Sequence, residues 1–202
     1  MPRQNRVTPF GILIATPERG TFMGNRGILH DEHGRIRRPS ALKRWLVCVL
    51  EFRGRKRTVM KPNSYTELFF LDEATALAAG HRPCAECRHQ RFIDFCSAWK
   101  IAYPHAGGSS RPKADEMDNR LHAERIAKNR SKPVFEANLK ELLNGVFIKR
   151  DDGGEHAYLV WGKELHEWTP AGYQACLPRP RAGVVQVLTP KSMVEVIRAG
   201  YV

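Results

Sequence analysis

The sequence is short of acidic residues, of pairable cysteines and of long apolar runs. It has 21 Asp and Glu against 33 Lys and Arg, which leaves a net charge of +12. Its five cysteines are an odd and scattered set, which excludes the disulfide framework of a small secreted domain. No apolar run approaches the roughly 20 residues of a membrane-spanning helix. The N-terminal apolar patch, residues 10–15, is typical of a strand rather than a signal peptide, so we expect a cytoplasmic protein.

Common catalytic signatures are missing as well. The sequence contains no HExxH, no P-loop and no GxSxG motif, and it has no internal repeat. An enzymatic function would therefore depend on residues that no short motif marks. What the sequence does contain is 42% hydrophobic residues, 13 prolines and 16 glycines, a composition that predicts a packed, loop-rich α+β protein.

The positive charge is concentrated near the N-terminus. Residues 1–61 hold fourteen Lys and Arg against four Asp and Glu, whereas residues 62–202 hold nineteen against seventeen. Such a one-sided excess suits a polyanion, because each phosphate that a cation neutralises releases condensed counterions. We therefore predict nucleic acid, most simply DNA, as the partner. A soluble basic surface without a ligand is the alternative.

The pattern of apolar residues predicts an order of elements. We expect strands over residues 7–15 and 44–52, a hairpin tip at 53–57 with residues 58–60 returning, and a strand at 65–71. Helices are predicted after the N-cap Asp72, over 85–99, over 114–130, over 132–145 and over 191–200, with strands between the last two. We divide the chain into a basic part (1–102), a flexible loop (103–115) and a mixed strand–helix part (116–202), packed as one globular body.

A Cys-x-x-Cys pair follows a short helix in the run "LFFLDEATALAAGHRPCAEC", residues 68–87. Helix, glycine stop, Arg-Pro and cysteine pair, in this order, resemble the metal-binding domain of the Ada family of alkylation-repair proteins. The resemblance implies a small basic hairpin–helix unit, about 44–99, with zinc held by four cysteines. Its two upstream ligand positions fall on Arg53 and Arg57, which offer only donors and cannot bind metal. The family's four-cysteine site is therefore excluded, and its methyl transfer is not carried over.

Zinc would need two ligands besides Cys84 and Cys87. His89 is the nearest in sequence, so we take Cys84, Cys87 and His89 as candidate ligands. His81, Cys96, Cys48 and the distant His30 are further options, although the apolar strand around Cys48 favours a buried thiol there. The alternative is a metal-free unit in which both cysteines only pack. A redox pair would need a thioredoxin-like context, which is missing.

Several cations and polar residues are candidates for contacting nucleic acid. The predicted hairpin tip carries four cations, and three arginines flank the cysteine pair. If the hairpin faces the cysteine loop, these charges crowd together and a phosphate backbone would neutralise them. A glycine-flanked loop adds further polar groups. The candidates are Arg53, Arg55, Lys56, Arg57, Arg82, Arg88, Arg91, Asn25, Arg26 and His30.

An enzyme acting on nucleic acid, such as a nuclease or a base-excision glycosylase, is the second hypothesis. Glu67 lies in an otherwise apolar strand, and Asp118 and His122 are four residues apart on one helical face. A carboxylate and a histidine are the residues that general acid–base or metal chemistry requires. A surface carboxylate and a solvated helix face are the ordinary alternatives, and a basic protein-interaction module is a third hypothesis. The leading expectation is a DNA-binding protein, with a role in repair.

Overall fold

The computed structural model describes residues 1–55, 58–104, 112–127, 129, 131–150 and 155–201. It has two six-stranded sheets and four α-helices, which confirms the α+β class. The helices are α1 (Glu73–Ala78), α2 (His89–Ala102), α3 (Ala114–Arg125) and α4 (Lys191–Arg198), and a 3-10 helix spans Leu139–Glu141. In the part of the chain so described, none of the helices has the length and apolar character needed to cross a membrane.

The first sheet is mixed and comes from the N-terminal part of the chain. Its order is β2-β1-β5-β3-β4-β6, with parallel pairs between β1 and β5 and between β4 and β6. Gly11, at a positive φ of 79°, splits the single strand predicted over 7–15 into the β1–β2 hairpin. Among the described residues after Cys48, the return strand predicted at 58–60 is not formed. The strands are β1 (Gln4–Val7), β2 (Leu13–Ala15), β3 (Phe22–Asn25), β4 (Leu46–Cys48), β5 (Leu68–Phe70) and β6 (Arg82–Pro83).

The second sheet is antiparallel throughout, in the order β11-β10-β9-β8-β12-β7. The helix predicted over 132–145 is wrong: Phe135–Asn138 pairs with β12 as an edge strand, and Asn138 caps the 3-10 helix by accepting the Lys140 N–H. Pairing with a neighbouring strand therefore overrides local helix propensity. The strands are β7 (Phe135–Asn138), β8 (Phe147–Lys149), β9 (Ala157–Trp161), β10 (Glu164–Thr169), β11 (Gly172–Pro178) and β12 (Val184–Val187).

Helix α1 joins the two sheets. Asp72 caps it by accepting the Thr75 N–H at 2.7 Å and also accepts the Tyr173 hydroxyl at 2.5 Å, while the Trp168 indole donates to the Thr75 hydroxyl at 3.1 Å. The chain leaves α1 through Gly80 at a φ of 85°, as the sequence predicts. Helices α2, α3 and α4 pack around Phe95, Trp99 and their apolar neighbours in a separate cluster.

Helix α2 begins at His89 rather than at the predicted Ala85. The Cys84–Cys87 segment forms a turn instead, and the backbone N–H groups of Glu86 and Cys87 are directed to the Cys84 sulfur. Of the loop predicted over 103–115, residues 105–111 lie outside the described residues, and its last two residues begin α3.

Candidate metal centre and basic surface

Three cysteines converge where β4 meets β6. The sulfurs of Cys48, Cys84 and Cys87 all lie within 4.8 Å of one another. Cys48 and Cys84 are buried and Cys87 is half-buried. Sulfurs around a tetrahedral zinc, at about 2.3 Å from the metal, are about 3.8 Å apart, so the group needs little adjustment to reach zinc geometry. This buried cluster could hold a metal such as zinc.

Sheet pairing places Cys48 beside the pair. Strands β4 and β6 run parallel with Val47 opposite Pro83, so the residues that follow both, Cys48 and Cys84, are neighbours. The Cys84 N–H also donates to the Val47 carbonyl at 3.0 Å. Cys48 is buried, as the sequence predicts. It is also the third member of the cysteine group, a role that its interpretation as a packing thiol does not include. Its place at the end of an apolar strand is the only signal in the sequence.

The electrostatics of the three thiols suit a cation. The hydrogen bond that the Cys48 thiol donates to the Cys84 sulfur lowers the pKa of Cys84 to about 5. The backbone N–H groups of Cys87 and Glu86 act in the same direction, whereas burial opposes the shift. The same bond, followed by burial, raises the pKa of Cys48, and burial raises the pKa of Cys87. Ionisation of one thiol, that of Cys84, is thus favoured, and its negative charge opposes ionisation of the other two. A divalent cation would remove that opposition, so the donor set fits zinc.

The other candidate ligands do not join this group in the described part of the chain. The His89 ring bonds to the Ala85 carbonyl at 2.9 Å, and the ring of His81 accepts from the Arg26 guanidinium at 3.2 Å. Cys96 packs in the helical cluster, and His30 bonds to the Thr66 hydroxyl at 2.6 Å. Three cysteines with no fourth protein ligand among the described residues leave one coordination position for water or another small molecule.

The loop after β4 does face the cysteine turn. The Arg55 guanidinium lies 2.6 Å from the carboxylate of Glu86, which stands between Cys84 and Cys87 in sequence. Arg53 is exposed, at a φ of 51°, with its guanidinium 5.0 Å from the Phe52 ring. Lys56 and Arg57 lie outside the described residues. Of the two arginines at the upstream ligand positions, the structure therefore describes only Arg53.

The three arginines flanking the cysteine pair have carboxylate partners. Arg82 forms a two-pronged, buried ion pair with Asp118, at 2.9 and 2.7 Å. Arg88 and Arg91 both approach the Glu73 carboxylate, at 2.7 and 3.4 Å. Arg82 and Arg88 are therefore structural, and Arg91 alone of the three is appreciably exposed, at 37% of its side chain.

The polar residues of the glycine-flanked loop turn inward. Asn25 accepts the Gly27 N–H at 3.4 Å, and His30 is 7% exposed and bonded to Thr66. Arg26 is 1% exposed, so it cannot contact a phosphate backbone at the surface. It lies in the wall of a cavity that is open to solvent.

The structure gives the three catalytic candidates separate surroundings. Glu67 is buried and accepts the Met60 N–H at 2.7 Å, which supports a residue with a φ of 55°. Asp118 belongs to the ion pair with Arg82. Burial, followed by the charges of Arg125 and Lys43, lowers the pKa of His122. None of the three belongs to a metal-type group of the described residues.

Two features escaped the sequence analysis. Residues 35–44 form a mostly irregular segment with five exposed cations. The density of cations, five in ten residues, is a signal that could have revealed this segment. The cations are Arg35, Arg37, Arg38, Lys43 and Arg44. A second group capable of holding metal lies on β10 and β11. There the His166 ring is 3.1 Å from the Cys176 sulfur and 3.3 Å from the Glu164 carboxylate.

Comparison with known proteins adds no assignment. No family model, no curated protein and no solved structure matches the chain.

Proposed function

We propose that the protein binds nucleic acid, most simply DNA, and that a zinc ion at Cys48, Cys84 and Cys87 stabilises the N-terminal sheet next to the binding surface. The observation that carries the proposal is the exposure of the positive charge. Of the twelve described Lys and Arg in residues 1–61, ten are exposed. A surface of this kind gains free energy by neutralising phosphates and releasing counterions.

Neighbouring carboxylates neutralise only a few of the exposed cations, so most of the positive charge can contact a partner. Asp31 bonds to the side chains of Arg35 and Arg37, at 3.0 and 2.7 Å, and the backbone N–H of Arg35, followed by these side-chain contacts, lowers the pKa of its carboxyl well below the usual range. Arg55 has Glu86. Lys43, Arg44 and Arg53 have no carboxylate partner in the described part of the structure, so they are the first candidates for phosphate contacts.

The cysteine residues supply the structural half of the proposal. Zinc at this group would join β4 to the turn that precedes α2, and so would fix the Arg55 loop through Glu86. Binding of a metal to the folded state alone stabilises that state. A contribution to DNA repair follows only from the Ada-type resemblance and is part of the proposal on that ground.

The zinc half is tested by elemental analysis of purified protein. We expect about one zinc per chain, lost in Cys48→Ala and kept in Cys96→Ala, since Cys96 is also buried but lies in the helical cluster. Equal metal content in the two variants, or no zinc in the parent protein, would contradict a site at Cys48.

The nucleic-acid half is tested by a salt titration of labelled duplex and single-stranded DNA between 50 and 200 mM salt. The variant Lys43→Gln/Arg44→Gln/Arg53→Gln should bind more weakly. Its salt slope should fall by up to about 3, because each lost phosphate contact removes about 0.9. The control Lys163→Gln/Arg181→Gln/Lys191→Gln removes the same charge from exposed C-terminal positions and should leave the slope nearly unchanged. No affinity at low salt, with tight binding to a protein partner instead, would reject the proposal.

A further inference from the structure

A cavity of about 660 Å³ opens between the two parts of the chain. It is lined by the β1–β2 turn, by residues 36–39 and Trp45, by the end of α1, by the end of α3 and by Lys132. Its volume lies within the range of small-molecule sites, about 300 to 1,000 Å³. Five cationic side chains line it, whereas the carboxylate of Glu155 is the only one to do so among the described residues.

Arg26 is the most deeply buried of these cations. Its Nη1 donates to the Gly11 carbonyl at 2.9 Å and its Nε to the His81 ring at 3.2 Å. Its Nη2 is buried and has no hydrogen-bond partner among the described residues. A Cβ on Gly11, which also lines the cavity, would lie 3.8 Å from Nη2, so this nitrogen lies just behind the cavity wall.

Arg125 contacts the same indole, that of Trp45, as Arg26 does. The two guanidinium carbons lie 4.3 and 4.0 Å from the indole centroid. Arg125 donates to the carbonyls of Gly80 and Lys43, and its Nε is buried without a partner in the described structure. Ring contacts and carbonyls thus hold two arginines on one tryptophan next to the cavity, and neither forms a salt bridge with a described carboxylate, although the charge of Asp118 acts on Arg125.

Lys132 brings a third cation to the same wall. Its ammonium donates to the carbonyls of Pro9 and Ala78 and, like the two arginines, forms no ion pair with a described carboxylate. Burial and the charge of Arg26 lower the pKa of Lys132 to about 7, and burial and the charge of Arg125 lower the pKa of Arg26 to about 9. Both shifts mean that the cavity is electrostatically unfavourable for its own cations.

An anion in the cavity would reverse this cost. It would attract two buried arginines and the half-buried Lys132 at once, and a small shift of the wall would let it accept the two unpartnered N–H groups. Inorganic phosphate would fill only a small part of the volume, and the walls also contain Phe10, Ile12 and Trp45, which favour a ligand with an apolar or aromatic portion.

We propose that this cavity binds a phosphate monoester carried on a group of nucleotide size, with the phosphate at Arg26, Arg125 and Lys132. The ester could be a free nucleotide or the phosphorylated end of a nucleic acid, since both present the same dianion. The site is distinct from the first candidates for phosphate contacts in the proposed function, because Lys43, Arg44 and Arg53 do not line this cavity, although the exposed Arg37 and Arg38 do.

Titration calorimetry of the full chain with adenosine 5′-monophosphate tests the site, with adenosine as the uncharged comparison. We expect the monophosphate to bind and adenosine to bind at least tenfold more weakly. Arg26→Met and Lys132→Met should each weaken binding of the monophosphate by about 10- to 100-fold, the effect of losing a hydrogen bond to a charged group. Arg179→Met is the control: this arginine also donates to backbone carbonyls, those of Leu139 and Leu142, but lies away from the cavity.

A second arm compares short DNA strands with a 5′-phosphate and a 5′-hydroxyl end. A preference for the phosphate that Arg26→Met or Lys132→Met abolishes identifies a nucleic-acid end as the ligand, and monophosphate binding without that preference identifies a free nucleotide. No Arg26- or Lys132-dependent binding in either arm would overturn the inference, even if salt-dependent DNA binding persists. Circular dichroism of each variant confirms folding, and Lys132→Met, being less buried, serves if Arg26→Met does not fold.

Discussion

Arg82 and Arg26 are equally buried, at 2% and 1% exposure, but their charges are compensated differently. Arg82 has both oxygens of Asp118, at 2.9 and 2.7 Å, and stands over the Phe92 ring. Arg26 has carbonyls, a histidine nitrogen and the Trp45 ring, with one N–H unpartnered in the described structure. The first is a completed ion pair between β6 and α3, and the second lies in a cavity wall with four other cations and one described carboxylate, that of Glu155.

The difference teaches how to separate a structural arginine from a ligand-binding one. Both carry the same charge at the same depth, so neither residue type nor burial decides. The deciding observation is whether a carboxylate of the protein already neutralises the charge. By this criterion Arg82 and Arg88 are structural, while Arg26, Arg125 and Lys132, which form no ion pair with a described carboxylate, are the cations of the proposed phosphate site.

The largest effect should come from breaking the completed pair. Asp118→Asn and Arg82→Met each leave one buried group without its counter-ion, so we expect the free energy of unfolding to fall by about 3–5 kcal/mol. Urea unfolding measures this. Asp115→Asn, an exposed carboxylate on the same helix, should change it by less than about 0.5 kcal/mol. If Asp118→Asn were equally mild, the pair would not be a structural element.

The pH dependence of the free energy of unfolding should reveal the half-buried cation of the cavity wall, Lys132. Lys132 has a pKa of about 7 in the folded protein, below the 10.5 of a free lysine, so the unfolded chain binds more protons between these values. Its contribution therefore makes stability rise with pH from about 7 to 10, by up to about 1.4 kcal/mol per pH unit. Lys132→Met should remove this rise relative to the parent protein. Parallel stability curves for the two proteins would contradict the burial of a charged Lys132.

The smallest effect should come from removing the cavity charge itself. Arg26→Met loses hydrogen bonds to carbonyls but also relieves a buried charge without a counter-ion, so we expect the free energy of unfolding to change by only about 1 kcal/mol. The same substitution at Arg82 costs several times more. Equal losses at the two arginines, measured by urea unfolding without added ligand, would erase the distinction between the two sites.

Local signals in the sequence predicted the helices with clear ends. Asp72 and Gly80 define α1 through a side-chain cap and a positive φ, and Pro190 marks the start of α4. Phe135–Asn138 was mistaken for helix because only its pairing with β12 makes it a strand. Such pairing depends on residues about fifty positions away and leaves no local pattern.

The candidate sites show the same limit more strongly. The Cys-x-x-Cys turn is visible in the sequence, but Cys48 joins it only through the parallel pairing of β4 and β6. The sequence indicates a phosphate contact for Arg82 and a catalytic role for Asp118 because nothing local reveals that the two residues pair. The cavity is assembled from segments spread between Gln4 and Glu155, so its charge could not be read from any one of them.

A crystal structure of the protein with adenosine 5′-monophosphate would test the central claim most directly. The account predicts phosphate oxygens within about 3.2 Å of the Arg26 Nη2 and near the Arg125 Nε and the Lys132 ammonium, while Arg82 keeps its contacts with Asp118. A cavity without ligand density, with the phosphate bound only to exposed cations such as Lys43 and Arg44, would contradict it.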